Sequence, residues 1–179
     1  MLHEEEKHWF DLLFWPLIIG IAVGIIIIFS FFKVYGSDEN IPNIRPFDDS
    51  FYQVIVSGRF GDNRIHTMGG WKYPHSGVDY KLERGTPLWA TADGIIVKAE
   101  DLGKYGYGNA VVIDHGRYQT VYAHLSEFKL LKGAHVKRFE VIGFVGDSGN
   151  AIGNHAHYEV RDNNVPIPPS VLIFKNKKE

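Results

Sequence analysis

Residues 12–32 read LLFWPLIIGIAVGIIIIFSFF, 21 positions without one charged side chain. No other stretch limits so strictly what the chain can become. As a helix rising about 1.5 Å per residue, the run spans about 30 Å, the thickness of one hydrocarbon core. Trp9, Trp15 and Tyr35 flank it as interfacial anchors would, and Pro16 lies near its start, where a missing N–H costs least. A cleaved export signal has an apolar core of about 7–15 residues behind a basic leader. This run is longer, and its leader carries Glu4, Glu5, Glu6 and Asp11. The run predicts an uncleaved transmembrane anchor over 12–32, with residues 1–11 as a short leader. Lys7 on one side and Lys33 and Arg45 on the other give the positive-inside rule no clear vote on orientation.

The pattern changes after the anchor. Residues 33–50 are polar and hold Pro42 and Pro46, which reads as a linker of at most about 65 Å if fully extended. A domain over 51–179 follows. Its short apolar runs are separated by the turn signals ERGTP, ADG, GKYGYGN, DHG and GDSGN. These runs predict strands at Tyr52–Ser57, Gly77–Tyr80, Pro87–Ala90, Ile95–Glu100, Ala110–Asp114, Gln119–Ala123, Glu140–Val145 and His155–Arg161. Helical periodicity is suggested only over Ser126–Leu131. The fold class is therefore mainly β and antiparallel, a sandwich or barrel-like domain behind one N-terminal transmembrane helix. The tail from Asn163 is Pro-rich, then briefly apolar, then basic, and is expected to pack back on the domain before fraying.

Formal net charge is −2, and residues 1–33 account for all of it. The remainder is neutral and has no Lys/Arg block, which excludes the basic footprint of a nucleic-acid binder. Cysteine is absent, so any metal site must be built from His and carboxylate.

The chemistry-bearing residues are His75-x-x-x-Asp79, His124 and His155-x-His157. On a strand, i and i+2 share a face, so His155 and His157 look the same way. His75 and Asp79 bracket a short strand and can converge after a turn. A catalytic zinc takes three protein ligands and keeps one position open. The set exceeds three, and the surplus suits hydrolysis, which needs a base and a donor to developing charge. Spacing alone leaves open which three groups bind. The other histidines, His3, His8, His66, His115 and His135, read as surface residues.

Motifs in order carry a resemblance: SGRFGDNR at 57–64, HSGVD at 75–79, GTPLWATADGIIV at 85–97, GYGNAVVIDHG at 106–116, TVYAHLSE at 120–127 and VIGFVGDSGNAIGNHAHYEV at 141–160. Over residues 56–161 the chain resembles the lysostaphin/LytM-type zinc metallopeptidases of the M23 family. The resemblance implies a zinc endopeptidase of peptidoglycan, with His75, Asp79 and His157 as ligands of one zinc ion. It implies His155 as general base and His124 as its partner, and it gives Tyr105 and Asn150 contacts to substrate. The family commonly has Pro and Leu where this chain has Asn154 and Ala156, a change that bears on substrate preference. A wall substrate implies an extracytoplasmic domain and a cytoplasmic N-terminus at the cell membrane, and it leaves room for cell-wall protein partners. Some family members have lost zinc residues and act as regulators or activators of cell-wall hydrolases, which is the alternative reading; this chain keeps the full set. A phosphocarrier, which also uses paired histidines, fits the His75–Asp79 pair poorly.

Overall fold

The computed structural model describes residues 38–65, 70 and 72–173. They belong to a unit that begins at Asp38. The expected transmembrane helix at 12–32 and its leader lie outside the described residues. Among the described residues no helix is long and apolar enough to cross a membrane.

Short apolar runs between tight turns can bury themselves only by pairing edge to edge, and all strand pairs here are antiparallel. Among the described residues thirteen strands form: β1 Val56–Gly58, β2 Asn63–Ile65, β3 Lys72–Pro74, β4 Val78–Tyr80, β5 Pro87–Trp89, β6 Gly94–Asp101, β7 Asn109–Asp114, β8 Tyr118–Ala123, β9 Leu125–Phe128, β10 His135–Val136, β11 Val141–Val145, β12 Ala156–Asp162 and β13 Val165–Ile167. The main sheet runs β1-β4-β12-β8-β7-β6-β10, with β13 also paired to β12. A second sheet runs β5-β11-β9, and β2 and β3 form a hairpin. No sheet closes on itself among the described residues, so the barrel-like expectation is corrected to open sheets. Both larger sheets feed one core, where Leu88, Ile142 and Val145 meet Val111, Ile113, Tyr122 and Tyr158.

The central strands are buried on both faces. Ala110–Ile113 in β7 and Ala156–Val160 in β12 are buried without interruption. That burial explains the continuous apolar character of β7 and, in β12, requires a partner for each buried polar side chain, His157 and Glu159.

Three local expectations change. Ser126–Leu131 is not helical: Leu125–Phe128 is β9, held by β11 through Phe144 opposite Glu127. The first strand shortens to Val56–Gly58. Residues 38–50, expected as a linker, lie on the domain: Phe47 is 1% exposed and packs edge-on against Tyr80 at 5.1 Å. Trp89 donates from its backbone N to Pro46 O at 2.9 Å and from Nε1 to Arg45 O at 2.7 Å. The tail packs back through β13 and a short helix, Ser170–Ile173, which buries Leu172.

Candidate metal centre

The register of the main sheet assembles the site. His157 on β12 stands opposite Asp79 on β4 and, on its other side, opposite Ala123 at the end of β8. The next residue, His124, has φ of 60°. A non-glycine residue there costs on the order of 1–3 kcal/mol and persists only where the surroundings enforce it. The enforcing bonds are visible: His124 N donates to Tyr107 O at 2.9 Å, and Nδ1 donates to Ser148 O at 2.8 Å. His75 precedes β4 and Asp79 is its middle residue, so the two do not bracket the strand as expected; the turn before β4 brings them together.

Three donor atoms converge. His75 Nε2 lies 3.1 Å from His157 Nδ1, His157 Nδ1 lies 2.9 Å from Asp79 Oδ1, and Asp79 Oδ1 lies 3.2 Å from His75 Nε2. Tetrahedral zinc with bonds of about 2.0–2.1 Å separates its ligand atoms by about 3.3 Å, so the triangle matches that ion with little adjustment. The N, N, O donor set suits the same metal. All three residues are buried. The second atom of each is occupied elsewhere. His75 Nδ1 donates to Arg59 O at 2.9 Å, Asp79 Oδ2 accepts from Arg64 Nη2 at 2.5 Å, and His157 Nε2 reaches Glu159 Oε1 at 3.0 Å. Each ligand therefore turns one defined atom toward the centre of the triangle. Burial alone would raise the Asp79 carboxyl, but the imidazoles of His157 and His75 beside it outweigh that and hold the group well below its usual range.

His155 and His124 stand beside the triangle with ring centroids 4.7 Å apart. His155 Nδ1 donates to Gly153 O at 2.9 Å, so both rings keep Nε2 uncommitted. His155 Nε2 is 3.8 Å from Asp79 Oδ1, beyond hydrogen-bond distance but within the same site. Burial, and then the nearby His155 and His157, push the His124 imidazole down to about 4, so it is neutral at ordinary pH.

A cleft of about 670 Å³ opens over these groups, a size that accommodates a peptide. Tyr105, 49% exposed, and the half-buried Asn150 lie in its wall. Their loops are tied together by Asn150 N donating to Gly106 O at 2.8 Å. A side chain at Gly108 or Gly149, both at positive φ, would strike the backbone of the other loop within 2.4 Å.

Several residues of the site escaped the sequence reading: Arg64, Tyr107, Glu159 and Arg161. Arg64 lay inside SGRFGDNR. Glu159 and Arg161 continue the period-two series His155, His157, Glu159, Arg161 along one face of β12. A charged residue in the middle of a buried strand was the signal. Burial would raise the Glu159 carboxyl, yet hydrogen bonds from His157, Ser76 and Tyr107 bring it down to about 2. Burial, and next the Glu159 charge, raise the Tyr107 phenol to about 12. His115 is corrected from a surface residue: it is 3% exposed, bonded to Asp93 O at 2.7 Å and Thr120 Oγ1 at 2.9 Å. His135 is exposed, while His3, His8 and His66 lie outside the described residues.

A family model described as Peptidase family M23 matches residues 73–169. The DD-carboxypeptidase/endopeptidase Mpg of Neisseria meningitidis serogroup B is 44% identical over 115 residues, covering 64% of this chain and 26% of the relative. Peptidoglycan DD-endopeptidase ShyA of Vibrio cholerae is 38% identical over 107 residues, covering 59% and 24%. The chain thus spans about a quarter of the length of these curated relatives. A zinc-containing peptidase from Vibrio cholerae superposes with a TM-score of 0.61 at 33% identity, covering 70% of this chain and 38% of that one.

Proposed function

The chain belongs to peptidase family M23, and from that premise we propose that it is a zinc-dependent endopeptidase acting on peptidoglycan. One observation carries the proposal: three donor atoms converge at zinc spacing, and two further histidines face the same centre with Nε2 uncommitted. His75 Nε2, Asp79 Oδ1 and His157 Nδ1 would hold the ion. When bound, zinc supplies Lewis acidity toward a peptide carbonyl and makes a water acidic enough to attack near neutral pH.

The chain's own groups divide the remaining work. His155 Nε2 accepts the proton of the attacking water and returns it to the leaving amine nitrogen. His124, kept neutral with its proton on Nδ1 and fixed by Tyr107 O and Ser148 O, turns an accepting Nε2 to the same centre and orients the attacking water beside His155. Tyr105 and Asn150 orient the peptide in the cleft. The names of the relatives Mpg and ShyA support a DD-configured bond in stem peptides as the target.

The uncharged run at 12–32 supports a single-pass anchor in the cell membrane, with the peptidase domain outside the cytoplasm. The enzyme would work on wall close to the membrane, through its own tether or with protein partners that bring wall to it. The test is digestion of purified sacculi by the full chain in detergent micelles with zinc: peptides with newly exposed amino termini support the reading, and undigested sacculi contradict it.

A further inference from the structure

Four histidines surround the centre, and three of them are oriented in one way. His75, His124 and His155 each donate from Nδ1 to a backbone carbonyl, of Arg59, Ser148 and Gly153, and present Nε2. His157 is the exception. Its Nδ1 faces His75 and Asp79, and its Nε2 faces a carboxylate, Glu159 Oε1, at 3.0 Å. We propose that Glu159 is a positioning residue that fixes the proton of His157 on Nε2 and thereby makes Nδ1 the metal-binding atom.

The geometry leaves Glu159 little other purpose. Its side chain is 0% exposed. A buried charge is costly unless neighbours compensate it, and three neighbours do so through four hydrogen bonds. Arg161 donates from Nε at 2.9 Å and Nη2 at 2.6 Å to Oε2, the Tyr107 hydroxyl donates to Oε1 at 2.6 Å, and Ser76 Oγ also donates to Oε1. An ionised carboxylate only accepts. With Nδ1 turned to the metal position beside His75 and Asp79, the proton of a neutral His157 sits on Nε2 and is donated to Glu159 Oε1. A backbone carbonyl would set the same tautomer; the carboxylate in addition makes the imidazole a stronger donor. The same Tyr107 that donates to Glu159 accepts from the His124 backbone N at 2.9 Å. One residue of the Gly-rich loop thus braces the ligand side and the proton-transfer side of the centre together.

This inference rests on the reading of His75, Asp79 and His157 as ligands, and the experiment separates the two. The full chain in micelles is titrated with zinc against a competing chelator, as wild type, Glu159→Gln and Asp79→Ala. In parallel, the histidine-labelled wild-type chain is loaded with cadmium, and imidazole nitrogen NMR identifies the His157 atom bonded to the ion. Wild type binds one zinc, Glu159→Gln binds it about 10–100-fold more weakly, and cadmium couples to His157 Nδ1. Undiminished zinc affinity in Glu159→Gln, or coupling to His157 Nε2, overturns the proposal while leaving the site intact. The NMR result stands even if Glu159→Gln does not fold. If wild type binds no zinc, or Asp79→Ala binds it as tightly as wild type, the ligand reading itself fails.

Discussion

His157 and Asp79 face each other across adjacent antiparallel strands, and their side chains meet with Nδ1 2.9 Å from Oδ1. The two are 78 positions apart in sequence, so this contact exists only when β4 and β12 pair in this register. A slip of one residue would put the two side chains on opposite faces of the sheet. The candidate metal centre is therefore a readout of the register of the main sheet.

Gly77 sits where β4 turns under the centre. A Cβ there would lie 2.4 Å from Tyr158 O, 2.9 Å from Glu159 Cγ and 3.0 Å from His157 Cε1. Backbone cannot yield as a flexible side chain does, so Gly77→Ala is predicted to cost about 1–3 kcal/mol and to weaken zinc binding as well. Chemical denaturation and a zinc titration check both; a wild-type midpoint with wild-type affinity would refute the packing argument.

Replacing His155 separates metal binding from proton transfer. His155→Ala is predicted to keep one zinc per chain while lowering the turnover rate by about 10²–10⁴-fold. Loss of zinc from this variant would show that His155 is a ligand and would revise its assignment.

Phe47 tests whether residues before 51 belong to the folded domain. Its ring is fully buried against Tyr80, so Phe47→Ala should destabilise the domain by about 3–5 kcal/mol. A change within a few tenths of a kcal/mol would mean that this segment is a detachable linker after all.

His115 gives the domain a pH dependence away from the metal centre. Burial depresses its imidazole from 6.5 to about 4. Its Nε2 heads a buried chain of hydroxyls through Thr120, Tyr122, Thr91 and Tyr158. Above pH 6.5 neither the folded nor the unfolded chain protonates this residue, and stability is flat with respect to it. Between 6.5 and 4 the unfolded chain takes up the proton first, so stability falls as pH falls, by about 3 kcal/mol in total. His115→Gln should lack this decline. Urea midpoints of the two proteins across that window decide the matter, since parallel curves would refute it.

The sequence made the site more legible than its supports. Antiparallel β structure followed from short apolar runs between glycine turns, and the histidine and aspartate pattern singled out the groups the structure gathers. What escaped had a common physical cause. β2 and β3 are exposed and polar, so no alternation marked them. Phe47 is one aromatic in a polar stretch, and only its fit against Tyr80 shows its burial. Ser126–Leu131 has a helical period that sheet pairing overrides at β9. His115 looked like a turn residue because its partners, Asp93 O and Thr120, come from β-strand neighbours the sequence does not place beside it. Glu159 and Arg161 were recoverable from the strand alternation once β12 was known to be buried on both faces.

The central claim is that His75, Asp79 and His157 hold a zinc ion with which the chain cleaves peptide bonds of the cell wall. Mass spectrometry of fragments released from purified sacculi by the zinc-loaded full chain tests it most directly, with Asp79→Ala run beside it. The account predicts stem-peptide products cut at an internal amide by the wild type and none from Asp79→Ala. Sacculi left intact by the zinc-loaded wild type, or the same products from Asp79→Ala, would contradict it.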